Sequence, residues 1–183
     1  WSFNIVDLGR LDLSGGFAVL AFVMFMLAFA IKIPLFPFHT WLPDAYSEAP
    51  TSTTFVLSAI MAKIGVYAVI RFVVPVFEVE FTRFALLLSL SGVVGMMYCG
   101  LAAIAQKDIK RMLAYSGISH VGFLLLGILA ATAEGYASSM FYTVVYVLMG
   151  LGGFGMVILM SRAGFEAENL SDFKGLNKRS PWF

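Results

Sequence analysis

Five long apolar runs constrain this chain more than any other feature. Each is about 20 residues long or slightly longer, the length of helix that crosses the roughly 30 Å hydrocarbon core of a bilayer. The runs are continuous rather than alternating in polarity, which disfavours a membrane β-barrel. The sequence therefore predicts an all-α integral membrane protein with about five to six transmembrane helices in one membrane domain. The predicted spans lie near 17–37, 54–77, 84–105, 112–132 and 138–161.

Composition agrees with a membrane protein and disfavours several other classes. Of the 183 residues, 60% are hydrophobic and 13% are charged, whereas soluble domains carry about 25% charged residues. A net charge of +1 gives no electrostatic support for nucleic-acid binding. The single cysteine, Cys99, lies inside an apolar run, so neither a disulfide nor a cysteine-based metal site is predicted. The sequence reads as an internal piece of a longer chain.

Basic residues between the spans predict an orientation. If the five spans alternate, the side that holds 38–53, 106–111 and the polar stretch 162–183 collects seven Lys and Arg residues, and the other side holds Arg10 and Arg83. Loops rich in Lys and Arg stay on the cytoplasmic side. The side of QKDIKR is therefore predicted to face the cytoplasm or its organellar equivalent. The seven residues are Lys107, Lys110, Arg111, Arg162, Lys174, Lys178 and Arg179.

Three basic residues remain inside the predicted spans, and no Asp or Glu accompanies them: Lys32, Lys63 and Arg71. A charged side chain at mid-membrane is costly. Burial favours the neutral amine and a nearby carboxylate favours the charged one, so a lysine under both influences can take up and release a proton. We therefore predict a proton relay at Lys32 and Lys63, with the acidic partner in a part of the protein outside this sequence or in another subunit. As alternatives, Lys32 extends to the interface, and Arg71 is an interfacial anchor.

A proline pair and a histidine strengthen this interpretation. Pro34 and Pro37 follow Lys32, and each removes a backbone donor and clashes with the preceding turn. Broken helices with ion sites at their ends are typical of transporters, so we predict a helix break here, with a plain kink or a helix end as the alternative. His120, in the fourth span, suits a proton carrier and a structural histidine equally well.

Two further motifs predict structural roles. Asp44 and Glu48, in LPDAYSEAP, are expected in a polar loop, where they cap the next helix. The glycines of MGLGGFGM, residues 149–156, lie inside an apolar span with no strand before them. Close helix packing therefore explains them better than a dinucleotide-binding loop does.

Three stretches together carry a family resemblance: KIPLFPFHTWLPDAYSEAPT, AIAQKDIKRMLAYSGISHVGF and LSDFKGLNKRSPW. In order and spacing they resemble the antiporter-like membrane subunits of respiratory complex I (NADH:quinone oxidoreductase). Relatives of these subunits occur in multisubunit sodium/proton antiporters and membrane-bound hydrogenases. The resemblance covers most of the chain from about residue 20. The polar tail is most similar to subunit N, whereas KIPLFPFHTWLPDAYSEAP is more similar to subunit M.

The resemblance implies about fourteen transmembrane helices in the whole subunit, arranged as two inverted five-helix repeats of a larger antiporter-like bundle. This chain would cover roughly the sixth or seventh helix through the eleventh. It implies that Lys32 lies on the broken seventh helix, that Lys63 is the lysine of the eighth helix on the hydrophilic axis, and that His120 lies next to that axis. Where subunits L and M commonly carry a histidine on the eleventh helix, this chain has Tyr146 and its neighbours.

The implied function is proton translocation, coupled to electron transfer from NADH to quinone elsewhere in the complex. The subunit itself would carry no cofactor, and quinone would act on it only through the assembled complex. The implied partners are other membrane-arm subunits and the lipid bilayer, with no nucleic acid, in a bacterial inner (plasma) membrane or an organellar inner membrane. Two alternatives stay open: a subunit of a sodium/proton antiporter or membrane-bound hydrogenase, and a structural spacer whose lysines pair for assembly.

Overall fold

A computed structural model of the chain describes residues 5–8, 15–161 and 167–179. Every regular element in these ranges is helical, and five helices are long and apolar enough to span a membrane. This confirms the predicted all-α membrane fold. After a single turn at Ile5–Leu8, the helices are α1 (Gly15–Lys32), α2 (Trp41–Glu48), α3 (Thr51–Val76), α4 (Glu78–Arg83), α5 (Ala85–Ile104), α6 (Ile109–Leu129), α7 (Ala133–Met160) and α8 (Leu176–Arg179).

The predicted orientation stays a prediction. Two of the basic residues on which it rests, Arg10 and Arg162, lie outside the described residues. The last residues of the polar stretch, 180–183, also lie outside them.

The first predicted span is broken at the two prolines, as the sequence indicated. α1 ends at Lys32 rather than at residue 37, and residues 33–40 form turns that lead into α2. Pro34 is buried in this connection and Pro37 is exposed. The break therefore ends α1 and separates it from α2, so it is more than a kink in one helix.

Side chains of α2 and α5 bind main-chain carbonyls at the end of α1 and within the break. The indole Nε1 of Trp41 donates a hydrogen bond of 3.0 Å to the carbonyl of Ile31. The hydroxyl of Ser91, on α5, donates to the carbonyl of Phe36. Non-helical backbone persists at membrane depth where protein groups satisfy it, and these two contacts do so here.

The stretch that follows the break is helical, so one prediction about it is wrong. Asp44 lies on α2, and its Oδ1 accepts an ion-pair contact of 3.0 Å from Nη1 of Arg111 on α6. Glu48 ends α2. Neither residue caps the next helix, because α3 starts directly after Pro50 with no side-chain cap. The partner that holds Asp44 comes from a distant part of the sequence, which explains the error.

α6 lies at the centre of the helix packing, against α2, α5 and α7. It lies very close to α5, where two glycines meet. A Cβ atom built on Gly122 would lie 2.5 Å from the carbonyl oxygen of Gly92, so the two backbones touch. Small residues permit such close approach between membrane helices. On the other side of α6, buried apolar side chains such as Leu124 and Ile128 pack with α1 and α3.

The chain after α7 returns to the start of α6. The amide of Ile109 donates to the carbonyl of Glu168 at 2.7 Å, and the amide of Leu170 donates to the carbonyl of Lys107 at 2.9 Å. Lys110, counted above as a loop charge, lies in the first turn of α6 and is buried. Its Nζ is 2.6 Å from Oε1 of Glu168. The QKDIKR segment is therefore a packed joint between α6 and the segment after α7.

Candidate functional site

Lys63 lies midway along the 26-residue span formed by α3 and is half-buried. Its Nζ donates to the carbonyl of Ser58 and lies 4.4 Å from the ring centroid of Tyr146 on α7. A cation over the face of an aromatic ring is attracted by the ring quadrupole. Both contacts favour an amine that stays at the centre of the helix packing instead of extending to the interface.

The backbone of α3 explains the first of these contacts. Two π-helical segments, Leu57–Met61 and Val69–Val73, lie on either side of Lys63. A π turn holds an extra residue and interrupts the regular hydrogen-bond pattern of an α-helix. Ser58 lies in the first π segment, and its carbonyl accepts from a side chain on the same helix. The π segment thus provides a main-chain acceptor for Lys63.

His120, on α6, joins Lys63 through tyrosines of α7. Its Nδ1 is 2.6 Å from the hydroxyl oxygen of Tyr142, and its ring centroid is 4.5 Å from that of Tyr146. Tyr142 and Tyr146 are four residues apart on one helix, so they share a face. We call these four residues the Lys63 cluster: Lys63, His120, Tyr142 and Tyr146. The cluster draws on three helices, α3, α6 and α7.

A small cavity adjoins the Lys63 cluster. Its volume is about 30 Å³, and its lining includes Lys63, Tyr146, Tyr46, Ser58 and Pro34. This is room for about two water molecules, which need polar partners to be held. The amine of Lys63 and the hydroxyls of Tyr46, Ser58 and Tyr146 are polar groups of the lining residues. The cavity also connects the cluster with the helix break, because Pro34 is part of its wall.

Lys32 and Pro37 lie outside this arrangement. Lys32 is half-buried at the end of α1, and its Nζ is 3.9 Å from Sδ of Met61 on α3. A Cβ atom built on Gly65 would lie 3.4 Å from Cγ of Lys32. Lys32 therefore packs on α3 against Met61 and Gly65, which lie two residues before and two residues after Lys63. Pro37 lines a separate apolar groove of about 350 Å³ between α1 and α5. Arg71 is exposed.

Two polar residues near these elements, Tyr142 and His39, were missed as candidates. Tyr142 was not singled out, although two tyrosines four residues apart in an apolar helix are a detectable signal. His39 is only 4% exposed, its ring packs on Phe36 and Tyr98, and Nδ1 has no hydrogen-bond partner among the described residues. Nothing in its sequence context distinguishes it from a loop histidine. No group of His, Cys, Asp and Glu in the described ranges could hold a metal ion.

A family model described as NADH:quinone oxidoreductase/Mrp antiporter, transmembrane, matches residues 3–183. The chain belongs to this family. Among curated proteins, the family member NADH-quinone oxidoreductase subunit N of Thioalkalivibrio sulfidiphilus is 51% identical over 164 residues. The match covers 90% of the chain and 34% of that protein, so the chain spans about a third of its relative's length. The relative agrees with the similarity of the polar tail to subunit N.

Chains of two solved respiratory complexes are similar in structure to this one. A chain of respiratory complex I from Thermus thermophilus with bound NADH aligns with a TM-score of 0.83 and 32% identity, over 98% of this chain and 38% of that one. A chain of the membrane-bound sulfane sulfur reductase, an archaeal respiratory membrane complex, aligns with a TM-score of 0.87 and 28% identity, over 97% of this chain and 37% of that one.

Proposed function

We propose that this chain is the central part of a proton-translocating membrane subunit of an NADH:quinone oxidoreductase. Membership of the family and 51% identity to a subunit N support this choice of complex. The observation that carries the proposal is Lys63, an amine midway along a membrane span that lines a water-sized cavity and contacts an aromatic ring. Such an amine is costly to keep in a membrane and is explained by proton transfer.

In this mechanism Lys63 stores a proton at mid-membrane. The carbonyl of Ser58 and the ring of Tyr146 stabilise its charged form, while burial favours its neutral form. Water in the adjoining cavity supplies a hydrogen-bonded route to and from the amine. His120 exchanges the proton with Lys63, since an imidazole both accepts and donates near neutral pH and both residues contact Tyr146.

Lys32 is the coupling residue. It lies at the end of α1, directly before the break, and packs on α3 near Met61 and Gly65. Electron transfer elsewhere in the complex changes the charge of an acid–lysine pair, and Lys32 responds to that change. Pro34 joins the break to the cavity wall, so a shift of the connection between α1 and α2 alters the surroundings of Lys63. The acidic partner lies outside the described spans, either elsewhere in the full-length protein or in another subunit.

The assembled protein works with the other membrane-arm subunits, in the lipid bilayer of a bacterial inner membrane or an organellar inner membrane. The subunit holds no redox cofactor of its own, and quinone acts on it only through the complex. Its contribution to NADH:quinone oxidoreductase activity is translocation rather than chemistry on substrate. Nucleic acid has no part in this function.

A second candidate is a subunit of a multisubunit sodium/proton antiporter or a membrane-bound hydrogenase. The family description joins complex I and Mrp antiporters, and the archaeal respiratory complex aligns over nearly the whole chain. The subunits that co-purify with the full-length protein separate the two candidates. NADH- and quinone-reactive subunits support the first proposal, and a set containing only ion-transport subunits refutes it.

The alternative that this chain is only a structural spacer is tested by replacing Lys32 and Lys63 in the full-length protein within its assembled complex. Lys32→Ala and Lys63→Ala together are expected to abolish proton pumping in vesicles, while the subunits remain assembled. Lys107→Ala is a suitable control, because this lysine is exposed between α5 and α6. Full pumping without both lysines would refute the relay.

A further inference from the structure

We propose that Tyr146 and Tyr142 are positioning residues of this proton path, each through a different group. The aromatic ring of Tyr146 holds the Lys63 amine beside His120. The hydroxyl of Tyr142 fixes the ring of His120. This inference rests on the proposed function, and it assigns a role to two side chains of α7 that the lysine relay alone does not require.

The ring of Tyr146 is in contact with both proton carriers. Nζ of Lys63 is 4.4 Å from its centroid, and the centroid of the His120 ring is 4.5 Å away. A cation–π contact depends on the face of the ring and is available to Tyr, Phe and Trp alike. The hydroxyl of Tyr146 lies against α6, where a Cβ atom built on Gly117 would be 3.0 Å from it. The ring, and not the oxygen, therefore positions Lys63.

Tyr142 acts on His120 through its oxygen. The distance of 2.6 Å between its hydroxyl and Nδ1 is a short hydrogen bond. A partner at one ring nitrogen selects the tautomer and the ring orientation of a histidine. With Nδ1 held by Tyr142, Nε2 is the nitrogen of His120 that exchanges a proton.

α7 is held firmly enough to position both groups. One turn before Tyr142, the hydroxyl of Ser139 donates to the carbonyl of Leu124 on α6 at 2.9 Å. Farther along the same contact, a Cβ atom built on Gly135 would lie 2.5 Å from the carbonyl oxygen of Gly127. A side chain on a rigid, closely packed element is placed more accurately than one on a loop.

The test uses three tyrosine variants of the full-length protein in its assembled complex, reconstituted in proteoliposomes. Tyr146→Phe keeps the ring, Tyr146→Leu removes it, and Tyr142→Phe removes only the hydroxyl that His120 uses. Tyr67→Leu and Tyr67→Phe are matched controls, because Tyr67 lies on the same helix as Lys63 and is 51% exposed. Proton pumping is measured per assembled complex during NADH oxidation.

We expect Tyr146→Phe to pump at nearly the unmodified rate. Tyr146→Leu should pump about tenfold more slowly, the rate equivalent of a cation–π contact between the exposed and the desolvated limits, because Lys63 is half-buried. Tyr142→Phe should slow pumping about fivefold, as one lost hydrogen bond does, and the Tyr67 controls should be unchanged. Recovery with Phe but not with Leu at position 146 distinguishes a positioning ring from a lost hydroxyl.

Several outcomes overturn the inference. These are unmodified pumping in Tyr146→Leu or in Tyr142→Phe, or a loss in Tyr146→Phe as large as in Tyr146→Leu. If Tyr146→Leu does not assemble, the other two variants decide the question. Slow pumping in Tyr146→Phe, or normal pumping in Tyr142→Phe, then refutes the inference. Lys63→Ala is measured in parallel. Normal pumping in that variant refutes the proposed function, whereas lost pumping there with normal pumping in the tyrosine variants refutes only this inference.

Discussion

Gly117→Ala should impair proton pumping without weakening the fold. The new Cβ would lie 3.0 Å from the hydroxyl oxygen of Tyr146, against 3.4 Å or more in an ordinary contact. The Tyr146 side chain must therefore move by about 0.4 Å. This crowding costs about 1 kcal/mol. Replacing glycine by alanine inside a helix stabilises it by about 0.8–1.0 kcal/mol. The two terms offset each other, so the complex should assemble normally.

The functional effect follows from the position of Tyr146 against Lys63 and His120. A misplacement of about 1 Å can slow a reaction about 100-fold. On that scale a shift of 0.4 Å slows proton transfer roughly fivefold. The assay is the rate of proton pumping per assembled complex in proteoliposomes, compared with Gly152→Ala. Gly152 lies on α7 and has no atom within 4 Å of its added Cβ, so the same substitution there should leave pumping unchanged.

A double variant makes this prediction sharper. Tyr146→Phe removes the oxygen that the new methyl group meets, and the next atom, Cζ, lies at an ordinary contact distance of 4.0 Å. Gly117→Ala with Tyr146→Phe should therefore pump faster than Gly117→Ala alone. Unmodified pumping in the single variant, or no recovery in the double variant, would refute the reasoning.

Three further predictions concern the parts of the fold that hold the site. Gly122→Ala should destabilise the α5–α6 contact by about 1–3 kcal/mol, because its Cβ would meet the carbonyl of Gly92. Thermal denaturation of the detergent-solubilised complex measures this loss, and an unchanged midpoint contradicts the prediction. Asp108→Ala should lower the stability of the complex by about 1 kcal/mol in the same assay, because the carboxylate caps α6. Asp108→Asn should lower it little, since asparagine also caps helices. Equal losses in the two variants would exclude capping as the cause. Ser91→Ala should leave the carbonyl of Phe36 without its donor, at a cost of about 1–3 kcal/mol, and Ser91→Thr should restore the hydrogen bond. Hydrogen exchange of residues 33–40 reports the change. Equal exchange in the unmodified protein and both variants would refute the prediction.

The sequence was sufficient for features that depend on local composition. Five helices follow from runs of apolar residues of about membrane thickness. The break follows from Pro34 and Pro37, because each removes a backbone donor and clashes with the preceding turn. Lys63 was recognisable because a charge deep inside an apolar run is costly. In each case one stretch of chain contains the whole cause, so no knowledge of packing was needed.

Features that depend on distant partners were not recognisable. α2 was expected to be a loop because it is a short polar stretch between two apolar spans. The contact of Asp44 with Arg111 on α6 is not visible in that stretch. Lys110 reads as a loop charge, yet Glu168 and the carbonyl of Ala49 hold it inside the fold. The spacing of Tyr142 and Tyr146 is visible in the sequence, but the contact of Tyr142 with His120 follows only from the packing of α7 on α6. The π segments around Lys63 likewise have no simple signature in the sequence.

The direct test of the central claim is proton pumping by Lys63→Ala in the full-length protein, assembled in its complex and reconstituted in proteoliposomes. Pumping is measured per NADH oxidised, beside Lys107→Ala, which changes an exposed lysine. The proposed storage site at mid-membrane predicts that Lys63→Ala assembles but pumps far fewer protons, while Lys107→Ala pumps normally. An assembled Lys63→Ala complex that pumps as many protons per NADH as the unmodified one would contradict the account.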